Sequence, residues 1–245
     1  MRKRILMRRE TISKMKLIKN KYIPRHTKPF IAFHWINAIS FMLLFFSGLP
    51  LLCEGFGWIY DYLGAENVQT FHHIMGVIFF INPYLGLVFA WKGYRRMISE
   101  VATFSKRDLT FAAKFGPELI GMEVHGLAPQ GFYNGGEKIN IALQMIACGI
   151  LAFSGMALWG SDYFSSDLKP WLIAFHSICA TIAFAASLGH IYLAVVVSPG
   201  SVKGMVDGSV DIKYAKDHHS RWLAELVNNG EISRKELSDA LAKYR

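Results

Sequence analysis

Apolar positions along the chain gather into four long runs without Lys, Arg, Asp or Glu: 30–52, 71–91, 139–160 and 170–200. Each run is apolar all round and reaches the roughly 20 residues that a helix needs to cross hydrocarbon. Strands in the same place would need a period of two and closed barrel pairing. The pattern therefore predicts an all-α membrane protein, a four-helix transmembrane bundle with helices near 30–52, 70–91, 138–160 and 170–198. An arm, 1–29, and a tail, 201–245, flank it. In the tail, HHSRWLAELVNNG predicts a short helix ending at Gly230. Pro83 predicts a kink in the second span.

Composition agrees, with 52% hydrophobic and 18% charged residues. The charge distribution adds an orientation. Residues 1–29 hold eleven Lys and Arg, 92–138 hold seven, and the segment after Gly200 holds eight. Residues 51–70 carry Glu54, Asp61 and Glu66 without a base, and 161–169 carry Asp162 and Asp167 beside Lys169. The positive-inside rule then places both termini in the cytoplasm. The net charge of +9 is topological, and a basic arm before an apolar run excludes nucleic acid as the simpler partner in favour of anionic lipid. The first run is too long for a signal-peptide core and lacks an A-x-A exit, so it is expected to stay as an anchor. Cys53, Cys148 and Cys179 form no C-x-x-C pair for zinc, thiol exchange or covalent haem. The segment 99–126, with FAAKFGPELIG, suits an amphipathic helix along the membrane surface.

The candidate chemistry lies in histidines inside the spans. Helix four carries two, His176 and His190, fourteen residues apart. At 1.5 Å per residue they stand about 21 Å apart in depth and about 40° apart around the axis, on one face. His34, near the start of helix one, falls at the depth of His190; His72, at the start of helix two, falls at the depth of His176. Two imidazoles from different helices at each of two depths are what two stacked haem groups require, and six-coordinate iron transfers electrons rather than binding substrate. A proton relay would want carboxylates on its route, and these spans have none. The alternative from another class is a haem-free transporter or assembly protein. His73 is read as a hydrogen-bonded or solvent-facing neighbour, and His26, His125, His218 and His219 as surface residues or partner contacts.

Fourteen residues beyond His34 stands Gly48, and fourteen beyond His72 stands Gly86, each at the other pair's level. A missing side chain there admits a flat macrocycle, although glycine also serves plain helix packing.

Taken together, FHWINAISFMLLFFSG, FHHIMGVIFF, FYNGGEKIN, FHSICATIAFAASLGHIYLA and PGSVKGMVDGSV followed by AKDHHSRW resemble the cytochrome b (gamma) subunit of membrane-bound respiratory formate dehydrogenases. The likeness runs over most of 21–222. The dihaem cytochromes of nickel-iron hydrogenases and thiosulfate reductases share the four-helix plan, and the YNGGEK motif and tail favour formate dehydrogenase. The resemblance implies two haem b, an inner one on His34 and His190 and an outer one on His72 and His176. It implies an iron–sulfur (beta) subunit and a molybdenum or tungsten catalytic (alpha) subunit as partners, within a complex that admits a higher oligomer. Electrons would pass to menaquinone or another quinone near the cytoplasmic side of a bacterial inner membrane, with no formate chemistry on this chain. It also implies that Tyr133, Asn134, Gly136 and Glu137 meet the quinone, with Asn134 and glycine amides donating to a carbonyl and Glu137 relaying a proton. Read alone, YNGG is a turn. The family often has Gln where Glu137 stands.

Overall fold

The structure is a computed structural model, and it describes residues 18, 21–122, 124–163 and 165–244. Most of the basic arm lies outside the described residues. The described residues form two compact units, one within 29–95 and 140–191, the other within 18–28, 96–139 and 192–244. Among the described residues the α-helices are α1 Lys28–Leu52, α2 Trp58–Leu63, α3 Ala65–Phe89, α4 Trp91–Ala102, α5 Lys106–Phe115, α6 Gly135–Trp159, α7 Leu168–Tyr192, α8 Ile212–His218, α9 Ser220–Asn228 and α10 Arg234–Ala242. Strands β1 Tyr22–Pro24 and β2 Ser209–Asp211 form a two-stranded sheet.

In the first unit, α1, α3, α6 and α7 are the four helices long and apolar enough to cross a membrane, and α7 continues through a wide turn to Val197. Each begins two to five residues before its predicted start, because a helix continues past its apolar stretch into polar flanks such as Ala65–Thr70 until a cap or glycine stops it. Pro83 lies inside α3, where it leaves one carbonyl a turn earlier without its amide partner. The packed centre is one layer with a residue from every span: Phe41, Phe79, Leu151 and Ala183. Phe41 follows His34 by seven residues, Phe79 follows His72 by seven, and Ala183 sits seven from both His176 and His190. Seven residues are about two turns, so this layer lies midway between the two imidazole depths. The Phe41 and Phe79 rings meet at 6.2 Å, and Ala183 is fully buried.

In the second unit, arm, connector and tail fold together rather than as separate segments. β1 and β2 pair antiparallel, with Ile23 opposite Val210, and Arg25 and His26 donate their amides to the Gly208 carbonyl. Ile23, Val210, Ile212, Ala215, Trp222, Leu223 and Ile232 form the core. The predicted tail helix is α9, closed by Gly230 at φ 72° with amides of Gly230 and Glu231 returning to Val227 and Leu226. In the connector, Ser105 and Asp108 form a capping box that starts α5. Its Phe111 is fully buried against Phe115 and His218, so that part of the predicted amphipathic face is spent inside this unit, while Leu109 and Ile120 stay exposed.

Ala183→Leu adds three methylene-equivalents to the closed central layer. Overpacking of this kind costs about 1–3 kcal/mol. The detergent-solubilised variant is expected to unfold at a lower temperature than wild type, as measured by a thermal melt; an unchanged Tm would contradict the closed packing.

Candidate functional site

In the first unit α1 supplies His34, α3 supplies His72, and α7 supplies both His176 and His190. The His34 and His190 rings lie with centroids 6.4 Å apart at 75°. Two imidazole nitrogens each about 2 Å from a shared metal would put their ring centres about 6 Å apart, so the spacing of this pair would admit a metal between the rings. His72 and His176 are close enough to interact electrostatically, which brings the other predicted pair together. Among the described residues no three His, Cys, Asp or Glu gather to hold a bare ion. A site of two imidazoles instead suits a metal that brings its own equatorial ligands, as haem iron does.

The second ring nitrogens are accounted for on three of the four. Ser47 Oγ lies 2.8 Å from His72 Nδ1, Ser154 Oγ 2.8 Å from His176 Nδ1, and the Asn140 amide 3.1 Å from His190 Nδ1. An Asn amide can turn either its oxygen or its nitrogen to the ring. Gly48 is at the level of His72: a Cβ there would meet its Cε1 at 3.7 Å. At Gly86 the space is filled by the phenol of Tyr94, which a Cβ would strike. His73 stacks on Trp159 at 4.8 Å.

The YNGGE stretch belongs to the second unit and starts α6 by a reciprocal cap. Asn134 Oδ1 accepts the Glu137 amide at 2.9 Å, and Glu137 Oε2 accepts the Asn134 amide at 2.9 Å. The turn is thus a helix start. Gly135 is the position that must lack a side chain, because a Cβ would collide with the Asp108 backbone. Glu137 is held by a bidentate ion pair: Arg25 donates Nη1 at 3.1 Å and Nη2 at 2.8 Å, and also donates to the Phe132 carbonyl. The buried guanidinium lies 5.2 Å from the ring centres of Phe132 and Tyr133. Burial works against the Arg25 charge, but Glu137 outweighs it and raises the pKa. Burial lifts the Tyr133 and Tyr214 phenols well above the ordinary range.

His219, expected at the surface, is fully buried there. Its Nδ1 lies 3.0 Å from the Gly131 carbonyl and its Nε2 3.3 Å from the Tyr214 hydroxyl. Burial first, then the Arg25 charge, pushes its pKa down to about 3. His26 likewise stacks on Tyr133 at 6.0 Å. The sequence offered no sign of either, since His26 packs on Phe132 and Tyr133, distant in the chain, and His219 is tied to the equally distant Gly131 carbonyl.

A profile of the prokaryotic cytochrome b561 family matches residues 25–208, which takes in all four spans and all four paired histidines. The chain belongs to the prokaryotic cytochrome b561 family. It is 32% identical over 221 residues to the formate dehydrogenase cytochrome b556 subunit of Haemophilus influenzae, covering 88% of each chain. It is 30% identical to the cytochrome b556(fdo) subunit of formate dehydrogenase from Escherichia coli K12, over 85% of this chain and 95% of the relative. The nitrate-inducible cytochrome b556(Fdn) subunit of the same organism is 29% identical over 88% and 94%.

A cytochrome b561 is a multi-pass membrane protein of haem b, and two facing imidazoles fit that group. Residues that the sequence reading passed over are the partners of those rings. Ser47, Asn140, Ser154 and Gly155, whose Cβ would come 3.4 Å from His176 Cε1, escape a search for ligand types. A signal did exist, for Phe46-Ser47-Gly48 on α1 repeats as Phe153-Ser154-Gly155 on α6.

Arg25→Ala in this cytochrome leaves a carboxylate facing aromatic rings, a loss of about 3 kcal/mol. Arg25→Ala/Glu137→Gln is expected to recover part of it, and a thermal melt of the three proteins measures both. The His219 pKa is depressed below its ordinary 6.5, so the unfolded chain takes up a proton that the folded chain refuses. Its contribution is intact above 6.5 and lost progressively as pH falls towards 3. His219→Gln is expected to show a shallower fall in Tm from about pH 7.5 to about pH 5 than wild type.

Proposed function

We propose that this cytochrome is the membrane subunit of a formate dehydrogenase, carrying electrons from an iron–sulfur subunit and a molybdenum or tungsten catalytic subunit across the bacterial inner membrane to menaquinone or another quinone. The pairing of imidazoles from different helices at two depths, with His34 and His190 at ligand spacing, carries the reading. The relatives named as cytochrome b556 subunits of formate dehydrogenase support the donor. His34 and His190 hold an inner haem b, and His72 and His176 an outer one. Bound haem b supplies reversible one-electron chemistry at an iron with no open position. The chain's own imidazoles would hold the iron, the Phe41–Phe79–Leu151–Ala183 layer keeps water out, and Gly48 leaves room beside His72, whereas the space expected at Gly86 is taken by the Tyr94 phenol. The basic arm, connector and tail keep both termini on the cytoplasmic side.

Quinone reduction belongs on that same side, at Tyr133, Asn134, Gly136 and Glu137. The Tyr133 phenol stays protonated across the physiological range, so it can donate to a quinone oxygen. Glu137 is committed to Arg25 and to the Asn134 amide, so its part is to hold Asn134 and the first turn of α6 in place.

Anaerobic membranes containing the complex are expected to show most of their dithionite-reducible b-type band on formate addition alone. A band that appears only with dithionite would move the donor to another oxidoreductase, such as a hydrogenase. His176→Ala is expected to lose one of two haems by pyridine haemochrome assay and to block formate-driven reduction of the other. Retention of both would overturn the ligand pairing.

A further inference from the structure

The repeated Phe-Ser-Gly tripeptides meet the same chemical need at two places. Ser47 on α1 lies against His72, and Ser154 on α6 lies against His176, each at 2.8 Å from Nδ1. The glycine that follows each serine faces the Cε1 edge of the same ring. The imidazole therefore lies across a Ser-Gly step in both cases.

The serine proton decides the tautomer. A hydroxyl has one hydrogen to donate and lone pairs to accept with. Ser154 Oγ is 2.7 Å from the Ile150 carbonyl, and Ser47 Oγ is 3.1 Å from the Leu44 carbonyl, so both hydroxyl hydrogens are directed back into their own helices. Each oxygen is then left to accept, and the donor it faces is the Nδ1–H of histidine. With the hydrogen on Nδ1, the neutral ring presents a bare lone pair at Nε2. That is the form a metal binds; the opposite tautomer has a hydrogen where iron must be.

We infer that Ser47 and Ser154 are positioning residues that fix His72 and His176 as Nδ1–H tautomers and so set the electron richness of the outer iron. The inference rests on the proposed ligand role of those two histidines. Acceptance of the Nδ1 hydrogen makes an imidazole a stronger donor, which favours ferric over ferrous iron. Removal of the acceptor is expected to raise the reduction potential at that site. The inner pair is built differently, since His190 faces an amide, so the two levels are tuned by different groups.

The test is a potentiometric titration of the intact complex carrying Ser47→Ala or Ser154→Ala, followed by the visible b-type band and the low-spin ferric EPR signals. The expected result is two haems retained, one potential raised, its EPR signal shifted, and the other haem unmoved. Ser154→Thr keeps a hydroxyl that bonds back along the helix in the same way and is expected to return the potential to wild type. Ser40→Ala is the control, because Ser40 makes the same back-bond to the Ile36 carbonyl at 2.7 Å on α1. Unchanged potentials in both alanine variants, or a shift of equal size in Ser40→Ala, would overturn the inference while leaving the ligand assignment standing. Full haem content in His176→Ala would instead remove the assignment on which it rests.

Discussion

An imidazole inside an apolar helix bundle must have both ring nitrogens satisfied, and this constraint organises the membrane unit. The His34 and His190 rings lie 6.4 Å apart between helices, and a ring nitrogen there needs a protein partner, because hydrocarbon offers none. The bundle answers with a serine or an amide from a neighbouring helix. The helix α6, which carries no paired histidine, contributes Asn140 and Ser154 and so takes part at both levels. Four spans are thus bound into one chemistry although only three hold rings.

The second unit obeys a related rule about charge. Arg25 comes from the residue just after β1, Glu137 from the first turn of α6, and Tyr214 and His219 from the tail. Each is poorly hydrated, and each is tolerated because another offsets it. Removing a charge from water is expensive unless its partner is fixed, and the reciprocal cap at Asn134 holds the Glu137 carboxylate that Arg25 pairs with. Arm, connector and tail are joined through this cluster as well as through the β1–β2 pair.

The spans and their number were legible in the sequence, because length and absence of charge are properties of a single helix, as is the fourteen-residue spacing that puts His176 and His190 on one face of α7. The ring partners were less legible. Ser47 and Ser154 look like ordinary small polar residues until two helices are placed side by side. His219 was misread for the same reason: its neighbours Gly131 and Tyr214 are not periodic with it, and burial there arises from the tertiary meeting of connector and tail. Gly135 was passed over in favour of Gly136 because only the Asp108 backbone shows which of the two glycines is crowded. Boundaries drifted by a few residues because an apolar run marks the hydrocarbon, whereas a helix ends at its cap.

The central layer of Phe41, Phe79, Leu151 and Ala183 has an electrical meaning. It separates two imidazole levels about 21 Å apart in a hydrocarbon slab about 30 Å thick. A dry layer of low permittivity takes up most of the voltage that falls between those levels. A unit charge passed from one level to the other therefore crosses about two-thirds of the membrane field, work of about 1.5 kcal/mol at 100 mV. For the transfer proposed above, the fourteen-residue spacing in α7 is a gauge: it would set how strongly the membrane voltage pulls on each electron.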